Sequence, residues 1–150
     1  MYGSGMRNQS IHQMLSAMKQ AVFAFIGPAG ASANYIHVDD VVRALALCIS
    51  HPNAANQTYI VSAWATMEDM VRGLATGVGL PTPTRRVPLS VATFLAMSMQ
   101  WCPRFPLTLS RVKALSVRSR FSTDKIEQEL GWKSTVPVER GMCEFARGFR

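Results

Sequence analysis

Tyr35-Ile36-His37-Val38-Asp39-Asp40-Val41-Val42-Arg43-Ala44 changes its periodicity halfway along. Residues 35–38 read as a short strand, and Asp39-Asp40 then stand where carboxylates favour a helix start. The helix predicted from them runs over about 41–49 and stops before Pro52. A strand that turns directly into a helix is the unit of an α/β protein.

The same alternation extends to both sides. Upstream, Tyr2-Gly3-Ser4-Gly5 is a turn-rich loop. Ile11, Met14, Leu15, Met18 and Val22 recur at helical spacing, which predicts a helix over 10–20 with Ser10 as its N-cap. A strand over 22–26 is broken by Gly27-Pro28-Ala29-Gly30. Downstream, 58–61 reads as a strand. Thr66 and Asp69 have capping geometry for a helix whose apolar face is Met70, Val71, Leu74 and Val78 and whose end is Gly79. An edge strand over 85–88 leads into an apolar helix over 89–101. Thr108 then caps a short basic helix carrying Arg111 and Lys113. Residues 118–122 alternate like a strand. Asp124-Lys125-Ile126-Glu127 reads as a capping box for a helix ending at Gly131, and a final helix over about 138–149 follows Pro137. Short strands with about six helices make the expected class α/β, with no internal repeat.

With 150 residues the chain is about one domain. Hydrophobic residues at 48% against 17% charged describe a folded chain. Nine Met and a mean hydropathy of +0.08 mean rather more apolar surface than a lone domain needs, which a Met-rich core or a bared partner face would equally explain. The net charge of +7 favours anionic partners, or is a solvated basic surface. Cys48, Cys102 and Cys143 are odd in number and in no CxxC arrangement, so neither a disulfide framework nor a zinc site is indicated and a cytoplasmic location is expected. The apolar stretch 89–101 is about half the length a membrane span requires, so no span is expected and the helix is a core or surface-docking element.

The chemistry-bearing motifs are mostly missing. No glycine-rich dinucleotide or Walker A loop occurs, because Gly27 and Gly30 form only a GxxG with Pro28 inside it. None of the three Tyr is followed four positions later by Lys. GxSxG is absent, and His12, His37 and His51 are not at metal-ligand spacing. A His37–Asp39 metal pair is imaginable, but a strand His beside a helix-capping Asp is the simpler account. No catalytic residue and no metal ligand is therefore expected. The candidates are arginines: Arg118 and Arg120, two apart in the expected strand, share a face, and Arg85 and Arg86 oppose each other. Their guanidinium forks suit phosphate.

Five stretches, in order, resemble the extended short-chain dehydrogenases/reductases, the NAD-dependent epimerase/dehydratase family. They are Tyr2-Gly3-Ser4-Gly5 (with Ser4 in place of a Pro), the 35–44 stretch, Thr58-Tyr59-Ile60-Val61 with Thr66-Met67-Glu68-Asp69, Arg120-Phe121-Ser122-Thr123-Asp124-Lys125 through Leu130-Gly131-Trp132, and Pro137-Val138-Glu139-Arg140-Gly141-Met142. The resemblance covers essentially the whole chain, and its collinear order is its strength. It implies the C-terminal, substrate-binding portion of such an enzyme over 1–150, with the Rossmann half that binds NAD or NADP absent and Met1 an internal methionine. It further implies that Arg120 contacts substrate phosphates, that Asn8 faces substrate, that Tyr2 and Gly3 lie against the nicotinamide and sugar, and that Asp40 is structural. Arg118 and Arg85 join them as substrate-binding candidates.

The implied substrate is a nucleotide sugar. However, many sugar-nucleotide members carry an Arg where Ala33 and Asn34 stand, and 104–123 is also similar to the 3-beta-hydroxysteroid dehydrogenase-like branch. No cofactor is expected on this chain alone, only on the intact family member. The expected partners are a small-molecule substrate and a missing Rossmann half or homologous subunit, not nucleic acid. The alternatives are a stand-alone basic binding module and a remnant that pairs with an intact homologue. A bare face where the other half would pack predicts poor solubility.

Overall fold

A computed structural model describes residues 1–3, 5, 8–98, 112 and 118–149. Among these the chain forms six helices and four short strands. In chain order they are α1 (Gln9–Lys19), β1 (Phe25–Ile26), β2 (Ser32–Asn34), α2 (Val38–Ser50), a 3₁₀ turn (Pro52–Ala54), β3 (Trp64–Thr66), α3 (Met67–Val78), β4 (Arg86–Val87), α4 (Leu89–Ser98), α5 (Asp124–Leu130) and α6 (Val138–Arg147). The α/β class stands. The expected helix with Arg111 and Lys113, the end of the 89–101 helix, and Ser4 lie outside the described residues.

Two small sheets carry the strands. β1 pairs parallel with β4, Phe25 opposite Arg86 and Ile26 opposite Val87. β2 pairs antiparallel with β3, Ser32 opposite Thr66 and Asn34 opposite Trp64. A third, single parallel bridge joins Tyr2 to His37: the Tyr2 N–H donates to Ile36 O at 2.9 Å, and Val38 N–H donates to Tyr2 O at 2.8 Å. Gly3 lets the chain run this close to α2, since a Cβ there would lie 2.5 Å from Val38 Cγ1.

Several expected strands fail. Residues 35–38 make only that one bridge, and Val38 already belongs to α2. Residues 58–61 and 118–122 pair with no strand among the described residues. Tyr59 and Val61 alternate because they pack against the cluster of Ile126, Leu130 and Trp132 while Ile60 faces out. Alternation there records burial, not a hydrogen-bonded neighbour.

Helix ends follow local chemistry, with three corrections. Asn8, not Ser10, caps α1: its Oδ1 accepts from the Ser10 and Ile11 N–H groups at 3.2 and 3.3 Å. His37, not Asp39, caps α2, its Nδ1 accepting from Asp39 N–H at 3.3 Å. Asp124 is the first residue of α5, behind the cap Thr123, whose side chain makes no capping bond, so no capping box forms there. The Thr66–Asp69 box is present in both directions, and Gly79 closes α3 in the left-handed conformation at φ 73°.

The main core packs α1, α3 and α6 around Ile11, Leu15, Met70, Leu74, Met142 and Phe145. A second cluster joins α2 to α5 through Ala44, Ile126 and Trp132. A third is small: Ala92 and Ala96 of α4 against Val112, with Ile26 and Val87 beside them. Among the described residues no helix is long and apolar enough to cross a membrane.

Candidate substrate-binding groove

Between α1 and the two small sheets lies a cavity of about 530 Å³. Its apolar wall includes Met14 and Ala17 of α1, Phe23 and Phe25, and Met67. The Phe23 and Phe25 rings meet edge to face at 5.2 Å, and the Arg86 guanidinium lies over the Phe25 ring at 5.0 Å.

The polar end is built from three separate stretches. Gly27 and Gly30 turn the chain at φ 73° and 84°, conformations a side chain would strain. Glu68, from the first turn of α3, accepts from the Gly30 N–H at 3.3 Å and from Arg86 Nη2 at 2.8 Å, and Arg86 Nη1 donates to Gly27 O at 2.9 Å. Burial works against the Glu68 charge, but the bonds from Arg86 and Gly30 outweigh it and hold the carboxyl below its ordinary range. A carboxylate thus occupies the glycine-turn N–H, where a phosphate-binding loop would offer it to an anion.

Asn34 supplies the remaining polar group. Its Nδ2 donates to Ser119 O at 2.8 Å, tying 118–120 to β2. Its Oδ1 is buried and has no hydrogen-bond partner among the described residues.

The residues singled out from sequence fall around this groove rather than inside it. Arg118 donates to Ala29 O at 2.6 Å. Arg120 stacks its guanidinium 5.9 Å from the Trp64 ring, which in turn donates to Ser32 Oγ at 3.2 Å. Neither arginine forms an ion pair among the described residues, and both are exposed. Arg85 donates to Ala21 O at 3.4 Å, bracing the turn before β1. Asn8 spends its side-chain oxygen on the α1 cap. The Tyr2 ring is fully buried against Tyr35 and His37, and Gly3 is buried against Val38, so neither presents an open face to a cofactor. Asn34 and Glu68 were not among the sequence candidates, and Arg86 was noted among the arginines only as opposing Arg85. Asn34 did stand out as one of two positions where an Arg is common in the resembled family, and that was the available signal.

A second hollow, about 500 Å³, lies between α2 and residues 131–135. Its main cation, Arg43, is committed to Lys133 O and to Asp40.

No family model matches the chain. It is 27% identical over 149 residues to short-chain dehydrogenase/reductase family 42E member 1 of Xenopus laevis, covering 88% of this chain and 38% of that protein. It is 25% identical over 154 residues to UDP-glucose 4-epimerase of Vibrio cholerae, covering 99% of this chain and 44% of that one. The fold matches the crystal structure of Thermotoga maritima UDP-glucose 4-epimerase with UDP-glucose at a TM-score of 0.58 and 20% identity, over 99% of this chain and 42% of that one. It also matches Bacillus cereus UDP-glucuronic acid 4-epimerase in complex with NAD at 0.61 and 13%, over 99% and 42%. The chain therefore spans about two fifths of the length of the curated relatives it matches. Ordered sequence motifs, relatives and fold agree: the chain is similar to a C-terminal part of the extended short-chain dehydrogenases/reductases of the NAD-dependent epimerase/dehydratase group.

Proposed function

We propose that residues 1–150 act as the substrate-binding portion of an NAD(P)-dependent nucleotide-sugar epimerase/dehydratase-like enzyme and turn nothing over alone. The observation that carries this is the groove itself, an apolar wall of Phe23 and Phe25 with the exposed guanidinium groups of Arg118 and Arg120 around it. A flat base would lie against such a wall. Arg118 and Arg120, exposed on the segment that Asn34 holds, would take the charged phosphates bidentately. Hydride chemistry needs a glycine phosphate cradle and a Tyr-x-x-x-Lys proton relay, and the sequence encodes neither. In this reading NAD or NADP and the redox residues belong to a Rossmann half or a homologous subunit. Asn8 and Arg85 shape the groove's rim, and the compartment is the cytoplasm.

Titration calorimetry on the purified chain tests this. UDP-glucose is expected to bind, and Arg120→Ala to weaken it roughly tenfold, the loss expected from one charge-assisted hydrogen bond. NAD should give no heat above background. Turnover of a nucleotide sugar by this chain alone, or micromolar NAD binding, would overturn the proposal. Binding of a hydroxysteroid with no response to UDP-glucose would reassign the groove to apolar carbonyl substrates.

A further inference from the structure

The polar end of the groove is a pair of opposite charges held in a fixed frame. Glu68 and Arg86 both line the cavity, with side chains 24% and 33% exposed. Arg86 is latched three ways: Nη2 donates to Glu68 Oε1 at 2.8 Å, Nη1 donates to Gly27 O at 2.9 Å, and the guanidinium lies 5.0 Å from the Phe25 ring centroid. Glu68 in turn presents both carboxylate oxygens to the Gly30 N–H, at 3.4 and 3.3 Å. Without that carboxylate, a guanidinium fork and a backbone N–H would converge on one point, an arrangement that holds phosphate. Glu68 fills the place with a negative charge of the protein's own.

The peptide that meets Glu68 also meets a cation. Ala29 O accepts from Arg118 Nη2 at 2.6 Å, and the Gly30 N–H donates to Glu68. Both groups belong to one peptide unit, and in a trans peptide the C=O and N–H point to opposite edges. Arg118 and Glu68 therefore stand on opposite edges of the 29–30 peptide, positive on one and negative on the other. Burial opposes the Glu68 charge, but the bonds from Arg86 and Gly30 outweigh it, so the carboxylate stays ionised at neutral pH. Being mostly shielded from water, the pair is screened little by salt.

We propose that Glu68 bars anions from the inner end of the groove, so that a phosphorylated ligand enters by its neutral end and keeps its phosphates on the Arg118 edge. A phosphate that reached Arg86 would have to share the guanidinium with an ionised carboxylate, and like charges that close oppose each other. The direction of entry is set by exclusion as much as by attraction. Applied to a nucleotide sugar, the inference rests on the function proposed above: the base lies against Phe23 and Phe25, and the diphosphate stays outside with Arg118. Glu68 is then a specificity-determining residue, although the substrate's phosphates never touch it.

Titration calorimetry of the full chain with inorganic pyrophosphate and with UDP-glucose tests it. Glu68→Gln keeps the shape and an acceptor for the Gly30 N–H but removes the charge, and the Thr66–Asp69 box that starts α3 does not use Glu68. This variant is expected to gain pyrophosphate affinity roughly tenfold or more, the worth of one charge-assisted hydrogen bond. Glu68→Ala, a second route to the same loss of charge, should gain likewise, with helix content unchanged by circular dichroism. Adding Arg86→Gln to Glu68→Gln should abolish the gain. Glu144→Gln, which frees the exposed Arg140 elsewhere, should leave pyrophosphate affinity as it was. The preference for UDP-glucose over pyrophosphate should fall about tenfold in Glu68→Gln. Unchanged pyrophosphate affinity in both Glu68 variants overturns the proposal even where UDP-glucose binds. So does a gain that survives the loss of Arg86 or appears equally in Glu144→Gln. If UDP-glucose binds no form while Glu68→Gln gains pyrophosphate through Arg86, the bar against anions stands and the nucleotide-sugar reading falls.

Discussion

Asp40 is fully buried, and every hydrogen bond to its carboxylate comes from a stretch nearly a hundred residues away. Ser134 Oγ donates at 2.8 Å, Thr135 N–H at 3.1 Å, Thr135 Oγ at 2.9 Å and Val136 N–H at 3.2 Å, while Arg43 Nη2 sits 3.1 Å off as an ion pair. Its backbone carbonyl accepts from the Trp132 indole at 3.0 Å. One residue thus pins the start of α2 to the approach to α6. Burial opposes its charge, but the bonds from Ser134, Thr135 and Val136 outweigh burial and hold the carboxyl below its ordinary range. A depressed folded pKa means stability that is present above the unfolded value of about 3.9 and lost as pH falls through the folded one. Asp40→Asn should cost about 3 kcal/mol at neutral pH and should flatten the fall in melting temperature below about pH 4. Melting curves of both proteins across that range check it, and parallel curves would refute it. Tyr2 offers the converse case. Its hydroxyl is buried without a hydrogen-bond partner among the described residues, and desolvation pushes its pKa up, with the charges of Asp40 and Glu144 adding to the effect. Tyr2→Phe should be neutral or stabilising by up to about 1 kcal/mol in a denaturant titration. A clear loss of stability would mean that the hydroxyl has a partner.

Among the elements, α3 and α6 make the closest pair, and glycine is the reason. A Cβ on Gly73 would collide with the Glu139 carbonyl, and one on Gly77 would lie 2.6 Å from Ala146 Cβ. Gly73→Ala should therefore destabilise by about 2 kcal/mol, overpacking exceeding the roughly 1 kcal/mol that Ala gains over Gly in a helix. Chemical denaturation measures this, and a more stable variant would show that the two helices can part. The apolar face of α3, its capping box and its Gly79 end were legible because each is local. Gly73 and Gly77 were not, since nothing near them in sequence announces a partner at Glu139 or Cys143. Strands were the least legible elements: β2 and β3 are three residues each, while 58–61 and 118–122 carry a strand's alternation with no neighbour to pair with among the described residues. The groove shows the same limit. Arg118 and Arg120 drew notice as charges, whereas Asn34, Glu68 and Arg86 acquire meaning only when β2, α3 and β4 converge.

For the whole molecule, the telling surface is the outer face of α2. Val42, Leu45 and Ile49 follow at helical spacing and are 57%, 59% and 88% exposed, although the helix's other side is well packed. Beside it the Tyr2–His37 bridge leaves a sheet of one residue pair, too little to stand as a sheet of its own. Contiguous apolar stripes of this kind are uncommon on a monomer's surface. Left in water, the stripe should drive self-association. Light scattering on the purified chain is expected to give assemblies that grow with concentration. Val42→Lys/Leu45→Glu/Ile49→Lys should shift them towards monomer with helix content unchanged, because each side chain already stands in water. If the unaltered chain runs as a monodisperse monomer at tens of micromolar, a concentration at which bare patches of this kind associate, the stripe is tolerated and needs no covering half. If the triple variant aggregates as before, the sticky surface lies elsewhere, and α4, the other large apolar display, becomes the face to alter next.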